Sequence, residues 1–482
     1  MLFNSFQFLV FYIVAVSAFF GMPHRFRWMF LLGASYYFYM CWNPPYVLII
    51  WAITLVDYVA AIRMEALTSR RLRRLWLIAS LCGNFAMLGM FKYSGFFLGS
   101  IRDSLRALDI SVHVPEIAWL LPVGISFHTF QAVSYTIEVY RKRYPAERHL
   151  GIYALYIAFF PQMVSGPIER PGHLLRQFRE RKRFEYVRLR AGLELILLGL
   201  FKKMIIADSL APFVTRIYDQ PRQFSGILLA IATASFAIQI YCDFSGYSDM
   251  AVGLARIMGY DLTLNFRHPY FARSVAEYWR RWHISLTSWF RDYVYVPLGG
   301  NRTTPLRWAF NAVLVFLLSG LWHGANWTYV VWGGIHGLFI VFGRALAGPR
   351  EALATWSGIA RLPRLRSVIA TLFTFSLISL AFVVFRARSL SEAAYVYTKI
   401  LRPGPFHLND LLVGGVPFFE LQITGLAMLV LFLIEFIQTH PMPWLGRAWQ
   451  SRRLRWPVYC AGFYSLVFFG IFDRIEFIYF QF

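Results

Sequence analysis

Two histidines are the residues of this chain best placed to do chemistry. His323 lies in the stretch 318–337, inside a run with no Asp, Glu, Lys or Arg between Arg307 and Arg344. An ionisable group in so apolar a setting is costly and needs a reason. Imidazole is also the side chain whose ordinary pKa suits proton transfer near neutrality. Gly320, Gly324, Gly333, Gly334 and Gly337 surround it. They allow close backbone approach or leave room for a substrate. Two readings stand: a general base, or a structural histidine bonded to a neighbouring helix.

His283 lies in a second stretch, 277–293. Wound as one helix at about 100° per residue, its rings share an arc of about 140°. That arc holds Tyr278, Trp279, Trp282, Leu286, Trp289, Phe290 and Tyr293, with His283 at its edge. Arg280, Arg281, Ser285, Thr287, Ser288, Arg291 and Asp292 oppose them, and Glu277 can pair with Arg281 at i,i+4. The pattern predicts an interfacial amphipathic helix, with His283 turned inward or lying as a border residue on lipid headgroups. Upstream, Asp243 ends an apolar segment and could orient a histidine. Ser245 or Ser248 would cap a helix over 249–259. Neither serine sits in a nucleophile elbow, and no Walker or dinucleotide motif occurs. Asp57, His128, Glu138, Glu194, Lys202, Lys203, Asp208 and His336 are read as structural hydrogen-bond or ion-pair partners.

The elements that must carry these groups are membrane spans. The 482 residues are 58% hydrophobic and only 15% charged, with a mean hydropathy of +0.49. So little charge cannot cover a soluble protein of this length. Apolar segments near the ~20 residues that cross a bilayer recur throughout. The net charge of +23 fits cytoplasmic loops and anionic lipid, and would attract an acidic donor such as a phosphorylated carrier or coenzyme A. No motif supports nucleic-acid binding. Cys41, Cys82, Cys242 and Cys460 form no C-x-x-C pair, so neither a disulfide framework nor a metal site is expected, and each reads as a small buried apolar residue.

The expected architecture is one all-α polytopic domain over 1–482, with about ten to twelve spans and core motifs in 120–345. His24, Arg25 and Arg27 follow the first span, which places the N-terminus outside the cytoplasm. The arginines of 63–74 mark a cytoplasmic loop, and 100–116 an external one. Residues 151–167 are apolar but basic on both sides, which predicts a re-entrant segment broken by Pro161 and Gly166-Pro167, with a cavity near Gln162, Ser165 and Glu169. A span over 226–244 leads to a surface region, 245–306. Hydrophobic segments at 308–322 and 327–343 flank His323. C-terminal spans over 367–472 leave 477–482 external or at the interface.

Ordered motifs then carry a resemblance. They are Leu121-Pro122-Val123-Gly124-Ile125-Ser126-Phe127, Ser165-Gly166-Pro167-Ile168-Glu169-Arg170 and Asp243-Phe244-Ser245-Gly246-Tyr247-Ser248-Asp249-Met250-Ala251. Asn265-Phe266, Trp279-Arg280-Arg281-Trp282-His283-Ile284-Ser285-Leu286, Leu298-Gly299-Gly300-Asn301-Arg302 and Gly320-Leu321-Trp322-His323-Gly324-Ala325 follow. Together they resemble the membrane-bound O-acyltransferase family, and within it the bacterial branch that acetylates exopolysaccharides such as alginate. The resemblance implies a central tunnel, with His323 as the catalytic histidine and His283 as a second, cytoplasm-facing one. It implies no tightly bound cofactor. Acetyl-coenzyme A or an acyl-carrier protein would be the donor on the cytoplasmic side of a bacterial inner membrane. A separate periplasmic acetyltransferase would pass the group to a polysaccharide. Asp243, Trp279, Arg280, Arg281, Trp282, Trp322 and Asn326 are the expected donor or substrate contacts, with Arg280 and Arg281 on phosphates and Asn326 on the oxyanion. Three rivals are D-alanyl transfer to teichoic acid, a transporter without chemistry, and a scaffold for a periplasmic enzyme.

Overall fold

In the computed structural model every regular element among the described residues is helical. The structure describes residues 1–482 apart from 116–118, 120, 165, 408–409, 413–416, 441, 473–476 and 479–482. The fold divides into two units, residues 1–195 with 251–263, and residues 196–250 with 264–482.

The first unit packs Phe6–Gly21, His24–Met40, Val47–Ala66, Arg70–Leu88 and Ile125–Tyr140 around a broken segment. Arg70 to Arg74 open a helix rather than lying in a loop, and that helix continues through a π-turn at Gly89–Tyr93 into Ser94–Ala107. The arginine-rich stretch is therefore loop only over 67–69. The broken segment is Leu150–Ala158, a kink at Phe159, and Phe160–Met163. Residues Ile152 to Met163 are all buried. A break inside an apolar interior frees backbone groups that no water satisfies. Here side chains take them up. The Tyr156 carbonyl accepts from Gln131 Nε2 at 2.5 Å and Gln162 Nε2 at 2.8 Å. The Phe160 amide donates to Ser35 Oγ at 3.1 Å. A Cβ on Gly166 would stand 2.2 Å from Gln162 Cα, so the chain can fold back there only without a side chain. Of the residues expected around a cavity, Gln162 and Glu169 are buried and bonded, and Ser165 lies outside the described residues. Asp57, on Val47–Ala66, is held by Ser80 Oγ and Asn84 Nδ2 at 2.5 and 2.9 Å.

The second unit holds both histidines. Its long helices are Pro305–His323, Trp327–Ala345, Pro363–Arg386, Phe418–Thr439 and Arg452–Phe469, together with residues 226–250 of the helix Gly226–Ile257. Gly226–Ile257 runs 32 residues without interruption. This corrects the expected end near 244, and Ser245 and Ser248 cap nothing. Asp243, Ser248 and Asp249 find partners in the interior, so the helix has no reason to stop.

Six helices among the described residues are long and apolar enough to cross a membrane, or seven if the pair Trp327–Ala345 and Ala347–Trp356, bent by 58°, counts as one span. The expected ten to twelve included segments that the fold makes shorter or more charged. Ile125–Tyr140 has 16 residues, most of them buried in protein, and Arg452–Phe469 begins with three arginines in four residues. Cys41, Cys82 and Cys460 are exposed and only Cys242 is buried. Cys82 and Cys460 lie on outward helix faces and Cys41 in the turn that ends His24–Met40, where an apolar sequence does not imply an interior position.

Candidate active site

The hairpin of Pro305–His323 and Trp327–Ala345 delivers His323. Thr304 caps the first helix ahead of Pro305, an arrangement that starts helices well. The two helices pack backbone to backbone. A Cβ on Gly320 would lie 2.1 Å from the Tyr329 carbonyl oxygen, and one on Gly333 the same distance from the Phe316 oxygen. Gly320 on one helix, with Gly333 and Gly337 four apart on the other, are the small residues that such close crossing requires. His323 is the last helical residue and is 2% exposed. Its ring lies 5.1 Å, centroid to centroid, from both Trp322 and Trp332, and 5.8 Å from Phe385.

Asn326 follows the turn. Its Oδ1 accepts the Thr328 amide at 3.0 Å and caps Trp327–Ala345. The side-chain oxygen thus has a structural task, and the oxyanion contact expected from sequence would fall to Nδ2, the donor end of the amide. His336, one turn beyond Trp332, is fully buried and accepts from Trp279 Nε1 at Nδ1, 3.3 Å away. Neutral imidazole that accepts at Nδ1 carries its proton on Nε2. Trp279 is thereby a packing and hydrogen-bonding neighbour of the hairpin.

The second histidine arrives differently. The expected continuous helix over 277–293 is in fact two short ones, Val275–Arg281 and Ile284–Phe290, and His283 sits at the break. Its φ of 42° and ψ of 55° are left-handed, a conformation that costs a non-glycine residue roughly 1–3 kcal/mol. The rings of Tyr278, Trp279, Trp282, Trp289 and Phe290 are buried within the protein instead of lying on lipid, and so is Ser285 from the polar side. The Glu277–Arg281 pair forms as expected, at 2.5 Å, while Arg280 is exposed.

At the break His283 is 0% exposed. Its ring lies 4.6 Å from Phe244, 5.8 Å from Trp322 and 6.4 Å from His323. Burial pushes its imidazole down to about 3, so it is neutral at physiological pH. The structure thus brings together His283, His323 and Trp322, with Trp282 in contact with Tyr241 and Phe266 beside them. Phe244, Trp332 and Phe385 complete this aromatic surround; the first two lie in stretches singled out in the sequence with no role attached, and Phe385 carries no sequence signal beyond being apolar.

Asp243 is committed elsewhere. It pairs with Lys203 Nζ at 2.7 Å, and Lys203 also holds Asp208 at 2.8 Å. Its second oxygen accepts the Ile478 amide at 2.7 Å. Lys203, not a histidine, is therefore its charged partner. The adjacent Lys202 holds Asp249 at 2.8 Å and approaches Glu435 at 3.8 Å, and Tyr241 also bonds Glu435. Phe477 and Ile478 are buried, with the Phe477 ring 4.6 Å from Tyr247. These two residues of the tail pack into the protein interior, and 479–482 lie outside the described residues. No cluster of potential metal ligands occurs among the described residues.

The model of the membrane-bound O-acyltransferase family matches residues 116–385, which contain both histidines. A probable alginate O-acetylase of Azotobacter vinelandii is 35% identical over 450 residues, covering 92% of this chain and 87% of that protein. The peptidoglycan O-acetyltransferase of Helicobacter pylori is 34% identical over 394 residues, covering 76% of this chain and 72% of the other. The teichoic acid D-alanyltransferase of Streptococcus thermophilus is 29% identical over 288 residues, covering 55% and 68%.

Proposed function

This chain belongs to the membrane-bound O-acyltransferase family, and we propose that it moves an acetyl group from a cytoplasmic thioester through the membrane for O-acetylation of an extracytoplasmic polysaccharide such as alginate. The observation that carries this reading is the pair of buried imidazoles, His283 and His323, 6.4 Å apart among aromatic rings.

In the proposed reaction His323 is a neutral general base. It takes the proton of the accepting hydroxyl as that oxygen attacks the thioester carbonyl carbon. The carbon–sulfur bond then breaks, and the departing thiolate takes the proton back from the His323 imidazolium. His283, neutral by burial, orients the donor or passes a proton. Arg280, exposed beside this turn, meets the phosphates of acetyl-coenzyme A or of a carrier's prosthetic arm. Arg281 is already held by Glu277. The protein works in a bacterial inner membrane with its N-terminus outside the cytoplasm, and a separate periplasmic acetyltransferase receives the group. The likeness to a teichoic acid D-alanyltransferase supports a second reading, a D-alanyl donor on a carrier protein. The higher identity and wider coverage of the O-acetylase favour acetyl.

Purified wild type and His323→Ala, given radiolabelled acetyl-coenzyme A or acetylated carrier protein, test this. Thiol release and acyl transfer to a glycan are followed. The expected result is turnover in wild type and a loss of about 10²–10⁴ in the folded variant. Equal rates in both would remove His323 from the mechanism. Turnover only with a D-alanylated carrier would select the second reading.

A further inference from the structure

The sequence of 277–293 favours one unbroken helix, yet the structure breaks it at His283. Something must hold the residue in a left-handed conformation while it is buried. Four non-glycine residues among those described have positive φ: Asp109, Lys142, His268 and His283. Only His283 is buried.

What faces the break is Asn265. It is 1% exposed and lies in the non-helical stretch 264–268. Its backbone carbonyl accepts the Ile284 amide at 2.9 Å. Its Oδ1 accepts Ser285 Oγ at 2.6 Å and the Ser285 amide at 3.3 Å. Its Nδ2 donates to Ser248 Oγ at 3.2 Å, which ties the arrangement to the Gly226–Ile257 helix. Two residues further on, the Arg267 amide donates to the Arg281 carbonyl at 2.9 Å. The backbone is thus gripped on both sides of His283.

In a continuous right-handed helix the Ile284 amide would bond within that helix, and His283 would leave its place beside His323. Asn265 supplies the competing acceptors. An amide is the group this place needs. Its oxygen serves Ser285 while its nitrogen serves Ser248, with no charge to bury. We infer that Asn265 is the positioning residue for His283, a clamp that holds the left-handed turn and so sets the geometry between the two histidines. The consequence for rate rests on the acyl-transfer reading above. The consequence for the backbone does not.

The test uses full-length protein in nanodiscs. Asn265→Ala should lower kcat about 10²-fold, the effect of displacing a reacting group by about 1 Å, with donor KM unchanged within about twofold. Hydrogen exchange of the peptide 279–290 should accelerate. Combined with His283→Ala, it should cause no further loss, because it acts through that residue. Ser285→Ala removes one bond of the clamp and should give a several-fold loss and a smaller exchange change, which keeps the test open if Asn265→Ala does not fold. Unchanged exchange over 279–290 in both variants would overturn the clamp. So would a loss of kcat that multiplies with that of His283→Ala. Faster exchange in variants of a wild type that transfers no acyl group would support the clamp and remove the acyl-transfer reading alone.

Discussion

At the His323 turn the supporting residues are those with least to offer. Gly320 and Gly333 contribute the absence of a side chain, and two helices close to backbone contact. At the His283 turn the supporting residues are polar and buried: Asn265, Ser285 and Ser248, with the paired lysines and acids of the same unit close in sequence to the ring that packs on His283. Close packing and hydrogen bonding are thus used separately, one for each histidine. Packing leaves the His323 backbone in an ordinary helix end. Hydrogen bonding sustains a left-handed residue that packing alone would not select.

Four substitutions would sharpen or break that contrast. Lys203→Met leaves Asp208 and Asp243 buried without their cation and should destabilise by about 3–5 kcal/mol. Thermal unfolding in detergent measures it. A variant as stable as wild type would mean that polar support in this unit is dispensable. Next is Gly320→Ala. Its Cβ would collide with the Tyr329 carbonyl, whereas one on Gly334 would meet Leu317 Cδ2 at a more forgiving 3.3 Å. Gly320→Ala should cost about 1–3 kcal/mol through overpacking and Gly334→Ala markedly less, again by melting. Equal effects would break the claim that close crossing delivers His323. The smallest effect is expected for Asn326→Ala, a lost helix cap worth about 1 kcal/mol, with kcat close to wild type. A fall of about 10²-fold or more in kcat would assign Asn326 Nδ2 to the oxyanion.

Legibility followed the same division. His323 stood out because an ionisable residue inside a long uncharged run is conspicuous, and the glycines around it announced close packing. His283 stands out less, and the periodicity around it favours one helix because it counts faces and does not see a competitor for the backbone. Asn265 sat in a quoted motif with no role attached, since an asparagine means little until its four bonds are known. Asp243 was noticed as a buried acid, but its partner, Lys203, lies 40 residues earlier in the chain. The broken segment around Pro161 was readable from its two basic flanks and its breakers. That Gln131, Gln162 and Ser35 would satisfy the freed backbone was not.

By itself, then, the sequence determined the environment and the local chain. Apolar runs specify helices in a membrane, glycines four apart specify close crossing, and one histidine in an uncharged stretch specifies where to look. These follow from hydration and sterics acting on neighbours in the chain. Only the tertiary structure decided which buried polar groups meet, that His283 occupies a left-handed turn, and that the two imidazoles lie 6.4 Å apart. Those outcomes depend on hydrogen bonds between residues 20 or more positions apart, as between Asn265 and Ser285. In an interior without water, each buried donor settles on whichever acceptor the fold brings within reach.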